Sequence, residues 1–216
     1  MRVLFIDLGA YDGRTAELFL ERMTGTEHDL TVCCVEANPE MELECRRRFV
    51  GDERVSVYGF AVAAEEGVTR LWMDNAEGHG SSIYADKRNV TEEFVEVPAR
   101  KFSSFFEEVC ILGAVTLLKA NIEGAECDLV KDMEEHGLFD RVDALLGVAF
   151  GKRGNWGVGW VADMAKTPSL RPGIPDVVDI LRKHEMRPFV FSGDIPRSVD
   201  IVKLVERLGR EKDENK

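Results

Sequence analysis

Val3-Leu4-Phe5-Ile6-Asp7-Leu8-Gly9-Ala10-Tyr11-Asp12-Gly13 opens the chain with an apolar run that ends in a carboxylate and glycines, and a second apolar run ends at Val35-Glu36-Ala37-Asn38-Pro39. Glycine lets backbone come close to a ligand, because a Cβ there blocks the approach and forbids some turn dihedrals. An acid at the end of the next strand can accept hydrogen bonds from both hydroxyls of a ribose. Together they outline a nucleotide-cofactor site.

The spacing narrows the cofactor. A dinucleotide loop reads G-x-G-x-x-G and a phosphate loop ends in G-K-[ST], whereas Asp7-x-Gly9-Ala10-x-x-Gly13 lacks the middle glycine and the lysine. Further on, Leu117-Leu118-Lys119-Ala120-Asn121-Ile122-Glu123-Gly124-Ala125-Glu126 is an apolar strand running into an acidic helix start. With Gly80-Ser81-Ser82 between them, these motifs resemble, in order and spacing, the FkbM-type methyltransferases of the class I fold over roughly residues 3–150. The resemblance implies S-adenosylmethionine as cofactor, held by Asp7, Gly9, Ala10, Gly13, Glu36, Asn38, Ala61 and Asn121. It also implies O-methylation of a hydroxyl on a sugar, polyketide or similar small molecule. One position departs from the family: Asn121 stands where an aspartate is usual, and an amide orients a ligand but takes no proton.

Methyl transfer from a sulfonium asks mainly for alignment of nucleophile, methyl and sulfur. A hydroxyl acceptor also needs a base, for which Glu123 is the first candidate and His79 the second. Ser81, Ser82, Glu126 and Trp156 are the candidate substrate contacts. Each has a plainer reading: Glu123 and Glu126 as carboxylates favoured by a helix dipole, the serines as a turn, Trp156 and Trp160 as core anchors.

The elements that must position these residues alternate. Residues 2–8 read as a buried strand, and Ala16, Phe19, Leu20 and Met23 then recur with helical period. Strands are expected at 31–36, 54–62, 115–122 and 144–150, with short ones around Val95 to Val97 and at 189–191. Helices are expected at 40–49, 101–111, 125–136 and from Pro175 to about His184. The implied fold is α/β: a Rossmann-like class I methyltransferase sandwich, with a mostly parallel central sheet covered by helices on both faces and ligands outside the strand ends. Residues 1–209 are expected to form one domain, 151–175 a glycine- and proline-rich lid, and 210–216 a fraying charged tail. For 198–208 helical period and the sheet's usual final strand conflict, and both remain open.

Composition is that of a globular protein: 216 residues, 44% hydrophobic and 31% charged. A net charge of -12 disfavours nucleic acid as partner. No apolar run reaches the length of a membrane span, Asp7 interrupts the first one, and a cytoplasmic protein acting on a small-molecule acceptor is expected. The five cysteines lack metal spacing and read as free thiols, and no metal is expected. Two other classes stay open, a nicotinamide-dependent oxidoreductase and a noncatalytic cofactor-binding module.

Overall fold

The computed structural model describes residues 1–74, 80–147, 164–186, 189–190 and 200–214. Its frame is a six-stranded sheet of β1 (Arg2–Leu8), β2 (Asp29–Val35), β3 (Val55–Tyr58), β7 (Val115–Ala120), β8 (Ala144–Gly147) and β9 (Phe189–Val190). The order is β3-β2-β1-β7-β8-β9, and every neighbouring pair is parallel. The strands around β1 are near-continuous apolar runs because both faces of a parallel sheet are buried.

Side chains alternate across that sheet and sort the core into two layers. Val3, Phe5, Val32 and Leu117 pack with α1 (Arg14–Arg22) and α6 (Ile201–Glu214) on one face. Leu4, Ile6, Leu8 and Leu118 pack with α3 (Phe102–Val109), α4 (Glu126–Glu135) and α5 (Ile174–Lys183) on the other. A further helix, α2 (Pro39–Arg48), starts after Asn38, whose side chain accepts the Glu40 amide at 3.0 Å. From β1 the chain winds one way to β2 and β3, then returns to lay β7 on the other side of β1. The loops after β1 and β7 therefore diverge, leaving a crevice at the strand ends.

Several expectations are revised, and one open point is resolved. The single strand at 54–62 is two: β3 ends at Tyr58, and β4 (Ala61–Val62) joins a second sheet, ordered β4-β6-β5, with β5 (Gly67–Asp74) and β6 (Val90–Arg100). The apolar pattern resumes after the break because Phe60, Ala61 and Val62 are all buried, so Gly59 is the one mark the sequence carries of the change of sheet. Strand β5 was not expected at all, and β6 is longer than Val95 to Val97 implied, since it is exposed over residues 92–96 and its glutamates hide the pattern. At 198–208 helical period prevails: Ile201, Leu204, Val205 and Leu208 are the buried face of α6. That helix also runs past Arg210 to Glu214, held where Lys212 Nζ donates to Ala114 O at 2.7 Å and meets Asp143 at 3.0 Å. Within the expected lid, residues 151–163 lie outside the described residues, whereas Pro168–Gly173 is a 3₁₀ turn with Leu170 buried.

The central strands are joined by more than their ladder. Asp7 and Lys119 face each other in the β1/β7 register, both buried, with Lys119 Nζ 2.7 Å from Asp7 Oδ1. Burial pushes the Asp7 carboxyl up, and Lys119 opposes that shift. Lys119→Met leaves a buried carboxylate without its cation, which costs roughly 3–5 kcal/mol, and Asp7→Asn added to it restores much of that loss. In the single variant burial acts on Asp7 alone, so its folded-state pKa rises further above the unfolded value and folding takes up a proton. The stability deficit is therefore largest near about pH 8 and narrows toward about pH 5, as urea unfolding of variant and parent across that range will show. A constant gap, or a double variant as unstable as the single, would remove this pair from its place in the fold.

Candidate active site

The crevice is an open cleft of about 690 Å³, walled by the ends of β1, β2 and β7 and by the second sheet. Its floor begins at Gly9, which has φ +71, and a Cβ there would lie 2.0 Å from the backbone oxygen of Asn121. Only glycine fits that approach. The amides of Gly9 and Ala10 both donate to Val35 O, at 2.9 and 3.0 Å, so the loop after β1 leans over the end of β2. Asn121 N donates back to Leu8 O at 3.0 Å. Beneath this turn the Lys119 ammonium donates to Gly9 O at 2.7 Å and Leu8 O at 3.3 Å.

Glu36 stands on the β2 side. One carboxylate oxygen accepts Tyr11 N at 2.7 Å and the other Asn38 N at 2.8 Å, which fixes the group at the cleft wall. Burial pushes its carboxyl up from the ordinary range, and those two amides pull it back. Between Glu36 and the second sheet the wall is apolar: Ala37, Phe60, Ala61, Val62, Leu71 and Ile83. This half suits a flat, uncharged ring.

At the other end the chain leaves β7 through a turn that begins Asn121, Ile122, Glu123. Glu126 is fully buried and its two oxygens accept the amides of Ile122 and Gly124, at 2.8 and 2.7 Å. It closes the start of α4 and does not line the cleft, so its expected contact with substrate is replaced by a capping role. Glu123 does line the cleft, with φ +55. Its carbonyl accepts Ser82 Oγ at 2.8 Å, and its carboxylate pairs with Lys87. Among the described residues three non-glycine residues have positive φ, and two of them, Tyr11 and Glu123, line this cleft. Such local strain persists where surrounding structure holds it and concentrates at working sites.

Of the residues expected to bind cofactor, Gly9, Glu36, Ala61 and Asn121 line the cleft, and Ser81, Ser82 and Glu123 join them from the expected acceptor side. Four others stand behind it. Asp7 is spent on Lys119; Ala10 is buried in the core against α1. Gly13 starts α1 in the left-handed region, where a Cβ would strike Phe49 and Cys45, and Asn38 caps α2. These residues build the loop and lie outside the lining of the cleft. Ser82 is nearly buried and its hydroxyl is used on Glu123 O. His79, Trp156 and Trp160 lie outside the described residues.

Sequence reasoning passed over Lys87, Lys119 and Tyr11 as site residues. Lys119 left a signal, a lone lysine inside an apolar strand, which must be paired to be buried. Lys87 left none, because Ala85-Asp86-Lys87-Arg88-Asn89 reads as a solvated loop. Among the described residues no group of His, Cys, Asp or Glu is placed to hold a metal, all five cysteines are free, and no helix is long and apolar enough to cross a membrane.

Among solved structures the chain is similar to methyltransferase FkbM from Methylobacillus flagellatus KT, at 13% identity and a TM-score of 0.48. The similarity covers 83% of this chain and 38% of that one, so the chain spans about two fifths of the length of that protein. No curated protein matches. The model of the methyltransferase FkbM domain matches residues 7–184, a stretch that holds every residue lining the cleft, and the chain belongs to the FkbM methyltransferase family.

Proposed function

We propose that the protein transfers a methyl group from S-adenosylmethionine to a hydroxyl of a small molecule such as a sugar or polyketide. The observation that carries this reading is the Glu36 carboxylate, fixed by two backbone amides at the mouth of a cleft whose floor admits only glycine at position 9. The residues present fit the cofactor. Glu36 offers acceptors to the ribose hydroxyls, the apolar wall from Ala37 to Ile83 takes the adenine, and the Gly9 turn lets the amino-acid portion lie against backbone.

When bound, S-adenosylmethionine supplies a methyl group already activated by its sulfonium sulfur. The protein's share is to align the acceptor and to receive a proton. Ser81 and Glu123 share the end of the cleft beside β7 and are the groups offered to an acceptor hydroxyl. Glu123, paired with Lys87, is the hydrogen-bond acceptor that orients the hydroxyl and takes its proton as the oxygen attacks. His79 is the alternative base.

Calorimetric titration with S-adenosylhomocysteine tests the cofactor half. Binding is expected with S-adenosylhomocysteine and absent with NAD; the reverse would replace methyl transfer by hydride transfer. Glu36→Ala is expected to weaken binding by about 1.5–3 kcal/mol with folding intact, the scale of hydrogen bonds to a charged group. Unchanged affinity in a folded variant would remove the ribose assignment. Screening hydroxylated glycosides and polyketide alcohols for transfer of a labelled methyl tests the other half, and binding without turnover would identify a noncatalytic module.

A pH dependence follows from the burial of Glu36. Its carboxyl is raised, so it takes up a proton at a higher pH than a free glutamate, for which the value is about 4.3. The neutral form is the weaker acceptor. Affinity for S-adenosylhomocysteine is therefore expected to be flat near about pH 8 and to fall as pH drops through the raised value, whereas Glu36→Gln binds more weakly and loses this dependence. Titrations across the range decide it, and a parent profile identical in shape to that of Glu36→Gln would sink the idea.

A further inference from the structure

We propose that Lys87 is a positioning residue for methyl transfer: its ammonium holds the Glu123 carboxylate and the 80–82 segment in one arrangement across the acceptor end of the cleft. The inference rests on the methyl-transfer reading given above, and nothing in the sequence pattern assigns Lys87 a role.

The side chain of Lys87 is wholly buried although the surrounding sequence is polar. Its ammonium donates to Gly80 O at 2.7 Å and pairs with the Glu123 carboxylate. Gly80 is confined on every side. Its carbonyl also accepts Asn89 Nδ2 at 3.1 Å, its amide donates to Asp74 Oδ2 at 2.8 Å, and a Cβ would lie 2.2 Å from Asn89 Nδ2. Two residues on, Ser82 exchanges both backbone hydrogen bonds with Trp72, at 2.8 and 3.0 Å, and its hydroxyl donates to Glu123 O.

Glu123 is thus gripped twice, by its carbonyl through Ser82 and by its carboxylate through Lys87. The first contact would hold the turn without any charge. A buried ion pair adds little net stability, because desolvation of both ions offsets their attraction. The charge of Lys87 therefore has its clearest use in fixing where the carboxylate points, since the same ammonium also binds Gly80 O. Ser81 is carried on the same short segment, so one cation bears on both groups offered to the acceptor.

The test is a double-mutant cycle with Lys87→Met, Glu123→Gln and both together. Three quantities are read in each: the urea midpoint, affinity for S-adenosylhomocysteine, and turnover with an acceptor from the glycoside and alcohol screen. Lys87→Met is expected to lower kcat by about 30-fold or more while affinity for S-adenosylhomocysteine stays within about threefold. The double variant is expected to recover most of the urea midpoint lost in Lys87→Met, since it leaves no unpaired charge, yet to turn over no faster than Glu123→Gln. A merely structural lysine would show the opposite: turnover restored along with stability, or losses that add. Either outcome overturns the proposal, as does normal turnover in folded Lys87→Met. If Lys87→Met does not fold, the double variant compared with Glu123→Gln decides: equal kcat supports the assignment and a further large drop refutes it. Failure of the parent to bind S-adenosylhomocysteine, or to methylate any acceptor, overturns the methyl-transfer reading and this proposal with it. Titration of the parent alone separates that failure from failure of the Lys87 assignment.

Discussion

A single buried ammonium, that of Lys119, lies under the turn on which the cleft is built. It reaches from β7 to Asp7 on β1 and to the carbonyls of Leu8 and Gly9 just beyond. A parallel ladder fixes the register of two strands but leaves the loop after them free to choose a path. Here the cation collects the carbonyls at the start of that loop, and Val35 O on the neighbouring strand takes the next two amides. With its start and first turn tied to β7 and β2 respectively, the loop has little choice left. The Gly9 bend, the Tyr11 amide and the seat of Glu36 follow from it.

The cleft contains or adjoins several carboxylates of identical chemistry, and burial plus donors decides what each does. Asp7 meets an ammonium in the core and becomes part of the frame. Glu126 meets two backbone amides at a helix start and closes α4. Glu36 also meets two amides, but stands at the wall with its outer side toward the cleft. Glu123 meets a lysine and stays at the surface of the cleft. An acid whose partners enclose it belongs to the frame, whereas Glu36 and Glu123 are fixed in place and still line the cleft. That distinction is geometric, and residue type carries none of it.

The same distinction explains what the sequence could and could not disclose. The parallel sheet was legible because β1, β2 and β7 are apolar on both faces, and the turn residues beside them sit where such strands end. Gly9 and Glu36 were legible as residues of the crevice for that reason. Asp7, Ala10 and Gly13 belong to the same motif yet point inward, and no spacing rule separates a residue that touches a cofactor from one that shapes the loop around it. The change of sheet between Tyr58 and Ala61 was hidden because buried Phe60, Ala61 and Val62 carry the apolar pattern of β3 on past Gly59. Helix α6 was legible in period alone, since Ile201, Leu204, Val205 and Leu208 recur at helical spacing; fold analogy pointed the other way and was the weaker guide.

The second sheet gives the cleft its outer wall, and its construction ties the two ends of the site together. β4 is only two residues long, but by leaving the main sheet it carries Phe60, Ala61 and Val62 over the end of β2, where they face Leu71 and Ile83. From β5 the chain returns through Ser81 and Ser82, and Ser82 is bonded to Trp72 on one side and to Glu123 on the other. The apolar wall on the Glu36 side and the acidic turn after β7 are therefore parts of one hydrogen-bonded path, although they come from different sheets. Any displacement of the β5 edge must move Ser82, and Ser82 cannot move without pulling on the carbonyl of Glu123. The cleft is thus shaped at both ends by elements outside the parallel sheet, which supplies the backbone turns while the hairpin supplies the walls and holds the carboxylate.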